Sequence, residues 1–311
     1  MWRGPEGNGY YPGNDLLKEW PSDGPEIIWS YDELGEGHSS PVFSNGKIYV
    51  SGMEDETGYI YIFDLQGNYK DKFKYGREFD ESYPGSRSSP TVVDDLLYIM
   101  NGYGELFCYD LNSKTLKWDK KLHSEYDGDN IRWGVTETLV VDGNKIYCTP
   151  GGKKNNVIAL NRMNGDLMWS CPGEGELSAY CTPLMVDHGG TKLLVTHTAS
   201  HVLGIDRNTG ILLWSQHQPN QWSVHANTPI YADGAIFYFS GYGQGGGKLK
   251  LNANGTKITQ EWFESKADSR MGGAVYMDGY IYSSGDWFRD WFCIDYETGE
   301  MKWSSGDVAK G

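Results

Sequence analysis

The sequence predicts an all-β propeller of four-stranded antiparallel blades. A hairpin ending in tryptophan recurs along the chain, a second hairpin with a tight Asx turn precedes each copy, and no segment carries the 3.6-residue apolar period of a helix.

The recurring hairpin aligns without gaps in Cys108–Trp118, Ala159–Trp169, Gly204–Trp214 and Cys293–Trp303. Its pattern is a small residue, then Asp or Asn two positions on, Gly at the seventh position and Trp at the eleventh; Lys114 replaces the Gly in the first copy. Such a pattern reads as strand, Asx or Thr-Gly turn, strand. Upstream of each lies a further hairpin, clearest in Ser40–Val50 around Asn45-Gly46 and repeated at Asp94-Asp95, Asp142-Gly143, Asp187–Gly190, Asp233-Gly234 and Asp278-Gly279.

Each repeat is therefore four strands, A to D. The aromatic residues closing strand D are Trp29, Phe73, Trp118, Trp169, Trp214, Trp262 and Trp303. Their separation matches the propeller period of roughly 40–45 residues. A four-stranded twisted sheet has two faces, and radial stacking buries both. The recurrent Trp is expected to plug the gap between neighbouring blades. Six complete sets fall at about 38–75, 87–120, 135–171, 180–216, 226–264 and 271–305, within one domain spanning 1–311. Residues 1–24 read as an N-terminal extension. Residues 25–30, around Trp29, read as a lone D strand closing a ring, so that the chain is expected to be most of a seven-bladed propeller.

Composition narrows the function. A net charge of −15 argues against binding a phosphate backbone, which needs a basic stripe. No apolar run is long enough to span a membrane, and the first residues lack the apolar core of a signal peptide. The five cysteines form no C-x-x-C motif, which disfavours a zinc site. Cys171 and Cys181 are either a disulfide across a short loop or two small buried thiols.

The motif copies ending in Trp118, Trp169, Trp214 and Trp303 resemble the tryptophan-docking motif of quinoprotein dehydrogenases and PQQ-like repeat proteins (PQQ is pyrroloquinoline quinone). The opening Trp2–Gly9 and the segment Leu16–Pro25 are similar to the start of secreted PQQ-like propellers of Bacteroidetes and Planctomycetes, which carry labels such as polyvinyl-alcohol dehydrogenase or assembly factor. This resemblance covers nearly the whole chain. It implies the propeller fold and a periplasmic or extracellular location. It also implies three functions to weigh, since one fold hosts many: a ligand- or partner-binding propeller, a PQQ-dependent alcohol dehydrogenase, and a scaffold for envelope protein assembly.

In such a blade the D–A and B–C loops share one face, and the longer loops of this chain lie there. The residues entering the A strands include His38, Arg87, Arg132, His225 and Arg270, a cationic set unexpected in so acidic a chain. A strands are innermost, so these side chains are expected to rim a central funnel. Arginine offers a planar fork to carboxylate or phosphate. Alternatively, these cations pair with Glu36, Glu137 or Asp268 and hold loops. The aromatics Tyr83, Trp133, Tyr180, Trp222, Trp287 and Trp291 lie in the same loops and could stack on sugars or anchor a partner. The candidate binding set is thus His38, Arg87, Arg132, Trp133, Tyr180, Trp222, His225, Arg270 and Trp287, for a small anionic or carbohydrate ligand or a protein partner.

No catalytic residue or metal ligand is assigned. The dehydrogenase resemblance implies PQQ with calcium, a vicinal Cys pair and a catalytic Asp. The Cys pair is missing, and no motif places Asp129, Glu137, Asp286 or Asp290 as ligands. The glycine run Gly241–Gly247 lacks the Lys-Ser/Thr of a phosphate loop and reads as a flexible B–C loop.

Overall fold

A computed structural model describes residues 11, 13, 16–129 and 131–307. The Trp2–Gly9 opening lies outside the described residues. Among these residues, twenty-four strands form six separate four-stranded antiparallel sheets. Blade 1 comprises β1 (Val42–Ser44), β2 (Lys47–Glu54), β3 (Thr57–Asp64) and β4 (Tyr69–Arg77); blade 2 β5 (Thr91–Val93), β6 (Leu96–Met100), β7 (Glu105–Asp110) and β8 (Thr115–Lys121). Blade 3 comprises β9 (Val140–Asp142), β10 (Lys145–Cys148), β11 (Val157–Asn161) and β12 (Leu167–Cys171); blade 4 β13 (Leu184–His188), β14 (Thr191–His197), β15 (His201–Asp206) and β16 (Leu212–His217). Blade 5 comprises β17 (Ile230–Ala232), β18 (Ala235–Ser240), β19 (Gly245–Leu251) and β20 (Ile258–Glu264); blade 6 β21 (Ala274–Met277), β22 (Tyr280–Ser284), β23 (Trp291–Asp295) and β24 (Met301–Ser305). A single helical turn, α1 (Leu122–Glu125), follows β8.

The motif now has a physical account. The Asp or Asn accepts backbone N–H groups of its own turn: Asp110 from Asn112 and Ser113, Asp206 from Asn208 and Thr209, Asp295 from Glu297 and Thr298. The small residue is the cross-strand partner of the Trp, as in Cys108 with Trp118, Ala159 with Trp169 and Gly204 with Trp214. A Cβ on Gly204 would lie 2.0 Å from the Trp214 ring. In blades 2 to 6 the C–D register shifts immediately after that small-residue position, a bulge that re-aims the Trp.

Four of these Trp residues then dock on the next blade. Trp118, Trp169, Trp214 and Trp262 donate their indole N–H to the carbonyls of Arg162, Arg207, Gly255 and Tyr296 at 3.0–3.2 Å. Their rings lie against turn glycines such as Gly165, Gly210 and Gly299, where a side chain would collide. Phe73 faces Tyr109 of blade 2, at 5.1 Å between centroids, where Lys114 (φ 57°) stands at the glycine position. Successive apolar cores separate blades 1 and 2, 2 and 3, 3 and 4, 4 and 5, and 5 and 6. Arg207, 6% exposed, adds an ion-pair staple by reaching both Asp142 of blade 3 and Asp187 of its own blade.

The segment 25–30 departs from its expected form. It pairs with no strand among the described residues and is irregular, because a lone strand has no ladder to join. Trp29 nevertheless takes the docking position on blade 1: a Cβ on Gly67 would lie 2.2 Å from its ring, and it stacks on Phe63 at 6.1 Å. Tyr31 and Leu34 follow, covering Ile48, Tyr61 and Phe63. Trp303, on the far side of blade 6, is 47% exposed.

Candidate functional site

The loops between strands D and A are held by a device not anticipated from the sequence. Four of them carry an acidic side chain that caps backbone N–H groups of a B–C loop. Glu78 accepts from Gly102 N (2.7 Å) and Phe79 N (2.9 Å). Asp127 accepts from the N–H groups of Lys154 and Asn155, Glu176 from Ser200, and Asp268 from Trp287 and Gly243. Glu78, Asp127 and Glu176 recur every 49 residues, the signal that would have revealed them. Burial pushes the carboxyls of Glu78 and Asp268 above their usual range, with the hydrogen bonds opposing it.

On this frame, four of the expected residues come together. The Arg132 guanidinium lies over two indoles, 5.0 Å from the Trp133 ring and 5.1 Å from that of Trp222. The two indoles meet edge-on at 6.1 Å, and Trp133 packs on Tyr180 at 6.2 Å, its backbone N–H donating to the Tyr180 hydroxyl. Arg132 is exposed and makes no ion pair among the described residues. Tyr180 has φ 70°, a left-handed conformation costly for an aromatic residue. It is 9% exposed and packs with Val135, Val224, Trp133 and Tyr242, so the entries of blades 3, 4 and 5 meet around it. Burial raises its phenol above the ordinary range, while Arg87 and Arg132 pull the other way.

Other expected residues sit differently. Arg87 turns back into its own loop, donating to the carbonyls of Ser82 and Tyr83 and stacking on Phe79 at 4.5 Å; its Nε is buried without a partner. Arg270 lies over Tyr242 at 5.5 Å and pairs loosely with Asp286 at 3.5 Å. Trp287 is 64% exposed beside Gly243. His38 is exposed, its backbone N–H donating to Ser86 O. His225 does not face a funnel: it is 1% exposed and stacks on His197, because the residue preceding strand A of blade 5 points into the core between blades. Of the five expected cations, Arg132 and Arg270 lie over aromatic rings of this cluster, while Arg87 is turned into its own loop and His225 is buried.

The A strands line a cavity of about 240 Å³, walled by Val42, Val92, Leu139, Val141, Leu184 and Met185 among others. Its hydroxyls are consumed internally. Ser89, Thr138 and Thr182 accept from the backbone N–H of Ser40, Ser89 and Thr138, while Thr91 and Thr228 donate to the carbonyls of Leu139 and Thr182.

PQQ with calcium does not fit these residues. Glu137 is buried against Thr149, Asp286 accepts from Tyr242 N, and Asp290 from Ser304. No three acidic, His or Cys side chains gather as a metal site among the described residues. All five cysteines, Cys171 and Cys181 included, are buried, and none forms a disulfide. No helix among the described residues is long and apolar enough to cross a membrane.

Residues 25–305 match the family described as outer membrane protein assembly factor BamB. The fold resembles BamB from Moraxella catarrhalis (TM-score 0.66, 16% identity, 91% of this chain and 80% of that one). It also resembles a quinohemoprotein alcohol dehydrogenase from Pseudomonas putida (TM-score 0.62, 13% identity, 89% and 61%). Both likenesses concern the fold alone. Tetrathionate hydrolase of Acidithiobacillus ferrooxidans is 27% identical over 159 residues, a match covering 43% of this chain and 29% of that protein's length. With docking tryptophans between successive blades and a family match over almost the whole chain, the protein belongs to the PQQ-like repeat β-propellers of the BamB family.

Proposed function

We propose that this propeller is a non-catalytic binding module that receives an anionic segment, foremost of a protein partner, on the platform of Arg132, Trp133, Tyr180 and Trp222. The observation that carries this reading is Arg132: an exposed guanidinium lying over two indoles, with no carboxylate paired to it among the described residues. Aromatic residues and arginine are the side chains that most often dominate binding energy. A shallow aromatic face suits an extended chain better than a small cofactor enclosed in a pocket. Arg270 and Trp287 extend the same face. The family's assembly-factor description favours a protein partner over a sugar, and a periplasmic or extracellular setting accompanies that description.

Titration with an aspartate-rich peptide and with an oligogalacturonate, read by tryptophan fluorescence, tests this. The peptide is expected to bind with an affinity that falls with salt. Arg132→Ala should weaken binding by at least about tenfold, the value of one charge-assisted contact. Lys192→Ala, on the opposite face, should leave it unchanged. PQQ with calcium is expected to give no rise in melting temperature; a rise lost in Arg132→Ala would favour the dehydrogenase reading instead.

A further inference from the structure

The loop that carries Trp222 rests on two buried imidazoles. His197 ends β14, His225 leads into β17, and their rings stack in parallel, 5.0 Å between centroids and 2° between planes. Both are about 1% exposed. His225 Nε2 donates to Ala199 O at 3.1 Å, which leaves its Nδ1 as a bare acceptor; neither nitrogen of His197 has a partner, nor has the Thr196 hydroxyl beside it. Burying polar atoms unpaired is costly, and such groups call for a role.

The loop above is fastened at this spot. Asn220 Oδ1 accepts from Trp222 N (2.9 Å) and Val224 N (3.2 Å), and its Nδ2 donates to Val224 O (2.7 Å) and Ser240 Oγ (3.0 Å), next to His225. Within the loop Ser223 has φ 55°, so the closed form holds strain that opening would release. Apart from the two imidazoles themselves, the charged group that acts on the pair is Glu176, from the loop before β13. It is committed to Thr198 Oγ1, Ser200 N and His201 Nδ1. Ser240 from β18, and Ala199 and Thr198 from the turn after β14, bring no charge.

We propose that the stacked His197–His225 pair is an acid-sensitive latch: protonation of either ring places a charge against its neighbour in a buried site and frees the Trp222 loop, dismantling one wall around Arg132. This regulation rests on the platform reading for its purpose, but the latch itself is a property of the loop. Burial lowers both imidazoles, His225 to about 4, whereas an opened loop returns them toward 6.5. The closed form therefore resists protonation, and acid favours the open one.

Hydrogen exchange of residues 218–225, corrected for intrinsic rates and compared with β18, tests the latch between pH 7.5 and 5. Loop opening is expected to rise on the order of 30-fold per imidazole at pH 5. His197→Phe retains a stacked ring and His225→Gln retains a donor for Ala199 O; together they should flatten the pH response. A wild-type loop whose protection does not change with pH overturns the latch, as does a double variant that keeps the full response. Parallel titration with the aspartate-rich peptide separates the two ideas. Peptide binding with a pH-independent loop removes the latch alone. A loop that opens in acid on a protein that never binds the peptide removes the platform alone.

Discussion

Replacing Trp214 by alanine is expected to lower the unfolding free energy by about 3–5 kcal/mol, the range for deleting a large aromatic side chain from a core. Trp214 is 7% exposed. It packs with Leu184, Val186, Leu249 and Leu251, and its indole N–H reaches Gly255 O at 3.1 Å, so the deletion opens the joint between blades 4 and 5 and orphans a carbonyl. Trp303→Ala is the internal control. Trp303 occupies the same motif position but is 47% exposed, with its cross-strand partner Cys293 and the Tyr282 ring 6.4 Å away as neighbours. It should cost about 1 kcal/mol or less. Urea unfolding of both variants at matched slope measures the difference. Equal costs would mean that docking on the next blade contributes little beyond packing within a blade.

That contrast also shows where the sequence was informative. Period-two strands, Asx turns and the Trp at a fixed offset each impose a local pattern, so six blades could be placed from residues alone. Trp29 misled in one respect: its docking role is real, but the strand around it needed a ladder that a local pattern cannot reveal. The site was half legible. Arg132, Trp133, Tyr180 and Trp222 share a face because loop position alone puts them there. Arg87 and His225 enter their A strands at nearly the same level, yet the direction of a side chain leaving a loop depends on backbone angles such as the positive φ at Tyr83, Tyr180 and Ser223, which composition does not announce. Tyr242 and His197 were missed because their meaning lies in contacts across blades 28 to 62 residues apart, Tyr242 with Asp286 and Tyr180, His197 with His225.

Glu137→Gln is expected to stabilise the protein, and increasingly so as pH rises. Glu137 is 3% exposed between Thr149 N (2.9 Å) and Thr149 Oγ1 (3.1 Å), and burial pushes its carboxyl up to about 8 from an ordinary 4.5. The folded chain therefore keeps a proton that the unfolded chain gives up above pH 4.5. Stability falls by up to about 1.4 kcal/mol per pH unit from there until the folded carboxyl itself ionises near 8. Glutamine is neutral throughout and can still accept from Thr149 N and donate to its hydroxyl. The variant's advantage should approach about 4 kcal/mol at pH 8 and vanish near pH 4. Glu78 and Asp268, also raised by burial, tilt stability the same way. His197 and His225 tilt it oppositely: their depressed values leave stability intact above pH 6.5 and erode it as pH falls, by up to about 2.7 kcal/mol per unit for the two. The carboxyls thus limit stability on the alkaline side and the imidazoles on the acid side. Urea midpoints from pH 4.5 to 8.5 would resolve both limbs. A difference between Glu137→Gln and wild type that stays constant across that range would mean the carboxyl is already ionised in the fold, with its charge held by Thr149 alone.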